Sequence, residues 1–150
     1  MQRSLQTPVG QLIVSQDGEH ICGLRWGRRQ FDDRTPLLDE AAAQITAYFD
    51  SRLQRFNLPM AAQTSPLVHL VLEALFAIRY GETTTYGDVA KRVEAPAQAV
   101  GQALGANPLP ILIPCHRVLG SDSLGGFSGG LGIETKVWLL RHEGAAGLLI

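Results

Sequence analysis

The sequence predicts an α+β protein of two lobes, a small β-sheet with one helix followed by a mostly helical lobe. Two apolar runs around Asp17-Gly18 are typical of a β-hairpin near the start of the chain. Two later segments, Thr35-Pro36 and Ser65-Pro66, each place a capping residue before a proline, which is typical of a helix start. With 150 residues, the chain can bury one core or two small lobes that share one.

The first 60 residues are predicted to form the smaller lobe. Strands are expected at Leu12–Val14 and Ile21–Trp26, and a last strand is expected at Gln54–Leu58, where polar and apolar residues alternate. Cys22 is expected to be a packing residue, and no catalytic constellation is found in this lobe. The single helix should turn one face to the core, formed by Leu38, Ala41, Ala42, Ile45 and Phe49.

Residues 61–65 are predicted to be a connector, and residues 66–150 are predicted to form a second domain. Its first helix, from Pro66 to about Tyr80, is very apolar and should be central to this lobe. Its last helix, about Ile133–Glu143, should turn one face to the core, formed by Ile133, Val137 and Leu140.

Between these two helices lies a candidate helix-turn-helix. Thr85 with Asp88 three residues later has the form of a capping box, which predicts a short helix over about residues 86–93. Pro96 then precedes a second helix, Ala97–Gly105, which consists mostly of small residues. Most helix pairs of this shape are packing units. The shape alone therefore leaves DNA binding open.

The chemistry is predicted to lie around Cys115. Ile111–Ile113 is an apolar, β-branched run, expected to be a buried strand or extended segment that ends at Pro114. A free cysteine in such a place is most often a small buried hydrophobe. His116 follows it directly, however, and a histidine can take the thiol's proton while a carboxylate such as Glu143 orients the histidine.

The glycine-rich segment 120–130 is predicted to be a substrate-contacting loop with accessible backbone N–H groups. It lacks the glycine–lysine–hydroxyl spacing of a phosphate loop. No second pair of ligands accompanies Cys115 and His116, so a zinc site is not expected.

Composition limits the partners and the compartment. The formal net charge is −1, so the overall basic signature of a nucleic-acid binder is missing, and any DNA contact must be small and local. No apolar run has the length of a membrane span, and the first residues do not form a signal peptide. Two cysteines make no disulfide framework. We expect a reduced, cytoplasmic setting.

From Gly81 to Gly144 the chain strongly resembles the C-terminal domain of the methylated-DNA–protein-cysteine methyltransferases, the O6-alkylguanine-DNA alkyltransferases. The Pro-Cys-His-Arg core is highly specific, and the N-terminal lobe matches in size, element order and position. The matching segments are Gly81-Glu82, Thr85-Tyr86, Ala99-Val100-Gly101, Asn107-Pro108, Pro110–Val118, Gly126–Gly130, Trp138–Leu140 and His142-Glu143-Gly144.

The resemblance implies a ribonuclease H-like N-terminal lobe, a winged-helix-like C-terminal lobe and a one-use repair protein without metal or cofactor. Such a protein is expected to be a monomer that binds duplex DNA through the minor groove and flips out an alkylated guanine. The alkyl group then moves irreversibly to its own cysteine, with O4-alkylthymine as a further substrate. If the source is bacterial, the resemblance implies association with the nucleoid.

The resemblance also implies a role for individual residues. Cys115 would be the acceptor, His116 the base acting through a water, and Glu143 the residue that orients His116. Tyr86 would donate toward the departing guanine, and Asn107 would tie the helix-turn-helix to the active-site segment. The expected DNA contacts are Thr85, Tyr86, Gln98, Ala99, Gln102, Ala103 and Arg117. The expected lining of the guanine pocket is Pro110, Val118, Phe127 and Ser128.

The sequence departs from the family pattern at two positions and leaves three other functions open. Gln98 stands where the family usually has an arginine that fills the gap left by the flipped nucleotide, and Phe127 stands where tyrosine is frequent. A non-enzymatic relative that binds alkylated DNA and signals to other pathways would lack the acceptor cysteine. A plain helix-turn-helix regulator would leave Cys115, His116 and Glu143 unexplained together. A cysteine hydrolase would need an oxyanion site, and no sign of one is found.

Overall fold

The computed structural model describes residues 1–145, which divide into two compact units at residues 63 and 64. The first unit contains an antiparallel sheet in the order β1-β2-β3 and one helix, α1. The predicted two-lobe α+β class is confirmed, and the sheet has one strand more at its start than the apolar pattern indicated. The elements are β1 (Gln2–Thr7), β2 (Gly10–Asp17), β3 (His20–Trp26) and α1 (Pro36–Phe49).

The β2–β3 hairpin forms where it was predicted. Asp17 pairs with His20, so Gly18 and Glu19 are the two central residues of the turn. Gly18 adopts a φ of +60°, and glycine at the first central position is the requirement of a type II′ turn. β1 escaped sequence analysis because Gln2–Thr7 is mostly polar, and its strand conformation depends on backbone pairing with β2.

Helix α1 begins as predicted, because the Thr35 side chain accepts a hydrogen bond from the N–H of Leu38 at 2.9 Å. Tyr48, not Phe49, completes the buried face of this helix. The predicted strand at Gln54–Leu58 is wrong. Only Met60 pairs with β3, through a single bridge to Ile21, because the preceding Pro59 offers a carbonyl but no N–H.

The second unit consists of four helices and a two-stranded parallel sheet in which β4 pairs with β5. Helix α2 ends at Leu75, short of the predicted Tyr80, and the N–H groups of Ala77 and Ile78 make tighter turns with carbonyls three residues back. The elements are α2 (Pro66–Leu75), β4 (Thr84–Thr85), α3 (Tyr86–Val93), α4 (Ala97–Gly105), β5 (Val118–Leu119) and α5 (Ile133–His142).

Helices α3 and α4 form the predicted helix-turn-helix pair with the predicted bounds. The Thr85 hydroxyl caps α3 by accepting from the N–H of Asp88 at 3.1 Å. Glu94 ends α3 in the left-handed region, with a φ of 56°, and this reverses the chain toward Pro96 and α4.

Helix α5 turns a different face to the core from the one predicted. Thr135, Lys136, Leu139 and Leu140 are buried, whereas Ile133 is 42% exposed. The prediction is right for Leu140 and wrong for Ile133, because it ranked residues by apolarity, while Thr135 and Lys136, whose polar atoms find hydrogen-bond partners, occupy the inner face. Among residues 1–145, no helix is long and apolar enough to cross a membrane.

Candidate active site

Cys115 begins a single 3₁₀ turn, Cys115–Arg117, that follows two γ-turns. In the first, the N–H of Leu112 donates to the carbonyl of Pro110 at 2.9 Å, with Ile111 at a φ of +73°. In the second, the N–H of Cys115 donates to the carbonyl of Ile113 at 2.7 Å. The strand expected over Ile111–Ile113 is therefore wrong.

The first of these turns is strained. A β-branched residue at positive φ costs on the order of 1–3 kcal/mol, and surrounding structure must impose it. Ile111 is only 2% exposed, so core packing holds it in this conformation. The two turns reverse the backbone direction twice within six residues and place Cys115 beside the end of α5 instead of along an extended strand.

Asn107 fastens this segment to the end of the helix-turn-helix. Its Nδ2 donates to the carbonyl of Ile113 at 3.1 Å, and its Oδ1 accepts from the N–H of Leu109 at 2.9 Å. Asn107 follows α4 by two residues. A displacement of α4 is thereby coupled to the backbone that carries Cys115.

The thiol itself lies in a largely dry place. Cys115 is 9% exposed, and burial raises the pKa of its thiol. A hydrogen bond with the Asn107 side chain and the positive charge of Lys136 act in the opposite direction. A neutral thiol with a raised pKa needs a proton acceptor before it can attack as a thiolate.

His116 follows Cys115 directly in the 3₁₀ turn. Its ring is fully buried, and its Nε2 lies 2.7 Å from Oε2 of Glu143. Because a carboxylate can only accept, Nε2 carries the proton and donates it to Glu143, which leaves Nδ1 as the basic nitrogen of the neutral ring. Nδ1 is buried and has no hydrogen-bond partner among the described residues.

Glu143 is held as an anion by two neighbours. Its two oxygens accept from Nε and Nη2 of Arg117 at 2.8 and 3.0 Å. Burial alone would raise the pKa of Glu143, but the hydrogen bonds and charges of His116 and Arg117 outweigh burial and hold that pKa well below its usual range. Burial lowers the pKa of His116, and Glu143 opposes this effect without reversing it.

Lys136 is a site residue that sequence analysis missed. Its side chain is fully buried on α5, and Nζ donates to the carbonyls of Val118 and Gly126 at 2.7 and 3.1 Å. Burial lowers the pKa of Lys136 to about 8, against the opposing influence of Cys115. The signal that could have found it is helical spacing, because Lys136 lies two turns before Glu143 and so on the same face of the helix.

Tyr86 meets the glycine-rich loop. Its hydroxyl oxygen accepts a hydrogen bond from the N–H of Gly126 at 3.3 Å, and its ring centroid lies 5.9 Å from Nζ of Lys136. A Cβ at Gly125 would lie 2.5 Å from the same hydroxyl, and Gly125 also has a positive φ of 69°. Only glycine at position 125 allows this approach. The next residue, Gly126, is held at its N–H by Tyr86 and at its carbonyl by Lys136.

The residues predicted to line the base pocket differ in exposure. Val118 is fully buried and offers its carbonyl to Lys136, Pro110 and Phe127 are half-buried, and Ser128 is exposed. Val118 precedes the glycine-rich loop, and Phe127 follows Gly126 within it.

Helix α4 presents two glutamines to solvent, Gln98 and Gln102, with Ala99 half-buried between them. Thr85 and Tyr86, at the start of α3, are also half-buried. Two of the predicted DNA contacts, Ala103 and Arg117, are buried in this structure. Ala103 is only 2% exposed and packs in the core, and the guanidinium of Arg117 is buried on Glu143 and the carbonyl of Ile78.

Comparison with known proteins places both units in one family. Residues 2–62 match the 6-O-methylguanine DNA methyltransferase ribonuclease-like domain, and residues 66–145 match the DNA binding domain of the same family. The chain is 37% identical to the methylated-DNA–protein-cysteine methyltransferase of Haemophilus influenzae, over 91% of this chain and 82% of that protein. It is also 37% identical to the constitutive enzyme of that name from Bacillus subtilis, over 92% of each chain.

Solved structures agree with this placement. The O6-methylguanine methyltransferase of Mycobacterium tuberculosis superimposes with a TM-score of 0.85 at 32% identity, over 99% of this chain and 95% of that one. A structure of OGT from the same organism in complex with DNA superimposes with a TM-score of 0.86 at 35% identity, over 96% of this chain and 92% of that one.

Proposed function

The chain belongs to the 6-O-methylguanine DNA methyltransferase family, and we propose that Cys115 is the residue to which it transfers the alkyl group. Its function is the direct repair of DNA by transfer of an alkyl group from O6-alkylguanine to a protein cysteine. The resemblance drawn from the sequence is confirmed, and it extends to the N-terminal lobe, where no motif had carried it.

The observation that carries the proposal is the chain of contacts from His116 through Glu143 to Arg117. The chain has two cysteines, and only Cys115 lies next to a buried histidine whose other nitrogen is held by a carboxylate. Cys22 lies on β3, in the first unit. Its chain neighbours are Ile21 and Gly23, and neither side chain can accept a proton.

In the proposed step, Nδ1 of His116 takes the thiol proton of Cys115, directly or through one water, and the thiolate attacks the alkyl carbon in line. A sulfur–carbon bond forms as the bond from that carbon to guanine O6 breaks, and the electron pair stays on the guanine. Glu143 stabilises the imidazolium that results. The thioether has no hydrolytic exit, so each protein molecule acts once.

Tyr86 supports the departure of guanine. Because its oxygen accepts from Gly126, its own proton remains available for donation to the base. His116 returns the proton that it took from Cys115 to the Tyr86 phenolate through water, so the guanine gains one proton for the one that Cys115 loses and no cofactor is needed. Lys136 keeps the loop in place through the Gly126 carbonyl, and its positive charge favours the thiolate.

DNA is the macromolecular partner of this family, and we place its contact on the exposed side of α4. A helix of small residues with Gln98 and Gln102 in front can approach the floor of the minor groove closely. Flipping the damaged base costs a few kcal/mol, which contacts in the pocket offset. We assign the protein as a monomer in the cytoplasm.

The test is the intact mass of the protein after incubation with duplex DNA that carries one O6-methylguanine. The parent and Cys22→Ser should each gain one methyl group, in amounts that never exceed one per protein molecule. Cys115→Ser should gain none while still binding the duplex. A methyl group on Cys115→Ser, or continued turnover by the parent, would refute the assignment. Binding by the parent without any mass change would favour the non-enzymatic alternative.

A further inference from the structure

Arg117 has a more specific arrangement than its burial alone requires. Its guanidinium donates through Nε and Nη2 to both oxygens of Glu143, and through Nη1 to the carbonyl of Ile78 at 2.7 Å. The side chain is 9% exposed and that of Glu143 is fully buried. The Tyr80 ring lies against the guanidinium, with its centroid 5.9 Å from Cζ. A bidentate pair of this kind fixes the plane of the carboxylate as well as its charge.

His116 and Arg117 share this carboxylate from adjacent positions in one 3₁₀ turn. Oε2 of Glu143 accepts from Nε2 of His116 and from Nη2 of Arg117, and Oε1 accepts from Nε of Arg117. The same guanidinium that orients Glu143 therefore also neutralises it. Electrostatically, His116 contacts one half of an ion pair, not an isolated anion.

The charge matters because a buried carboxylate with no other partner strongly favours a charged imidazole beside it. An imidazolium donates from both nitrogens and has no lone pair with which to accept a thiol proton. A base that is already protonated cannot assist Cys115. A site of this kind needs the carboxylate for orientation, and it also needs the charge of that carboxylate to be balanced.

We infer that Arg117 is a positioning residue for the proton acceptor: it fixes both oxygens of Glu143 and balances their charge, so that His116 meets Cys115 as a neutral imidazole. This inference rests on the proposed function of Cys115 and His116. It replaces the DNA contact that the sequence had suggested for Arg117.

Four other groups face His116 or its partners, and their influences are consistent with this assignment. Cys115 precedes His116 in the chain, the charge of Lys136 acts on both, Glu143 accepts from Nε2, and Tyr80 contacts the guanidinium. Burial lowers the pKa of His116, Glu143 raises it, and the positive charges of Arg117 and Lys136 lower it further. Of the two cations, only Arg117 also contacts Glu143 directly.

Two substitutions separate the charge of Arg117 from its hydrogen bonds. Arg117→Gln keeps a hydrogen-bond donor for Glu143 and removes the charge, whereas Arg117→Lys keeps the charge and loses the second donor. The readout is the single-turnover rate of Cys115 methylation, measured across pH with saturating duplex DNA that carries one O6-methylguanine. The rate rises with pH as His116 becomes neutral, and this rise is the acid limb of the profile.

Arg117→Gln should move the acid limb upward by about one pH unit, so that the rate at a pH on that limb falls about tenfold and recovers at higher pH. Arg117→Lys should leave the acid limb in place, with a rate at each pH within a factor of two of the parent rate. A merely structural role would lower the plateau without moving the limb. An unmoved limb in Arg117→Gln, or an equal shift in Arg117→Lys, would overturn the inference.

Glu143→Gln provides an independent arm should Arg117→Gln fail to fold. It removes the negative charge while Arg117 remains, so the limb should move to lower pH, and an upward shift or no shift contradicts the inference. Methylation of the parent protein distinguishes failure of the inference about Arg117 from failure of the proposed function. If the parent gains no methyl at Cys115, the proposed function falls. If the parent is methylated normally and the limbs coincide, only the assignment of Arg117 falls.

Discussion

The core of the first unit and the surroundings of Cys115 are both buried, yet they consist of opposite kinds of residue. In the first unit, the buried side chains come from β2, β3, α1 and Leu58, and they are apolar apart from the Tyr48 hydroxyl. Among the described residues, every buried polar or charged side chain lies in the second unit, and most belong to the 3₁₀ turn and α5. These residues are His116, Arg117, Thr135, Lys136 and Glu143.

The difference shows which part of the molecule serves stability and which serves chemistry. Apolar burial stabilises by about 25 cal/mol per Å² of area removed from water. A buried charge costs several kcal/mol unless partners satisfy it, and even a well-paired ion seldom stabilises more than an apolar group of similar volume. The polar cluster around Cys115 therefore serves the chemistry of the thiol and the histidine, not the stability of the fold.

The largest expected consequence of this difference is acid sensitivity confined to the second unit. The folded-state pKa of His116 is lowered by burial, so below a pH of about 6.5 the unfolded chain takes up a proton that the folded chain does not. Stability then falls with falling pH, by at most about 1.4 kcal/mol per pH unit for one such group. Below a pH of about 4.3, Glu143 adds to the loss, because its folded-state pKa is also lowered.

Amide hydrogen exchange at pH 7 and pH 5, corrected for intrinsic rates, measures this effect element by element. Protection should fall in α5 and hold in α1. His116→Asn should remove much of the pH dependence, while His69→Asn, which changes an exposed histidine on α2, should retain it. Equal losses in α1 and α5 would contradict the contrast between the two regions.

The same contrast explains what sequence could and could not predict. Helices α1, α3 and α4 were predicted with their caps, because Thr35-Pro36, Thr85 and Pro96 act locally. The pairing of Cys115, His116 and Glu143 was predicted from residue types and from the family resemblance. The caps are visible in a short stretch of chain, whereas Glu143 lies 27 residues after His116 and its role came from the resemblance.

The errors occur where distant contacts decide. Ile111 is β-branched and favours a strand, but core packing holds it at positive φ. Lys136 and Arg117 are residue types that are almost never buried unless paired, so a surface or DNA-facing position was the natural expectation. Their partners are the carbonyls of Val118, Gly126 and Ile78 and the carboxylate of Glu143, and none of these is a neighbour in sequence.

A smaller effect is expected on the exposed side of α4. Gln98→Arg should speed repair of methylated duplex by up to about tenfold, which corresponds to about 1.4 kcal/mol and to one charge-assisted hydrogen bond. Single-turnover rates at subsaturating DNA measure it. Gln102→Arg is the matched control, because it adds the same charge to the same exposed helix one turn later. An arginine at position 98 that gives no advantage over the parent would remove Gln98 from the base-flipping step.

The smallest expected effect concerns the threonine caps of α1 and α3, one in each unit. Thr35 and Thr85 each accept a hydrogen bond from the N–H three residues later, at 2.9 and 3.1 Å, so Thr35→Ala and Thr85→Ala should each cost about 1 kcal/mol in urea unfolding. Thr85 is also half-exposed at the start of the helix-turn-helix. Thr85→Ala should therefore weaken duplex binding as well, whereas Thr35→Ala should leave it unchanged. Equal duplex affinities for the two folded variants would mean that Thr85 only caps α3, and the DNA contact would then begin at α4.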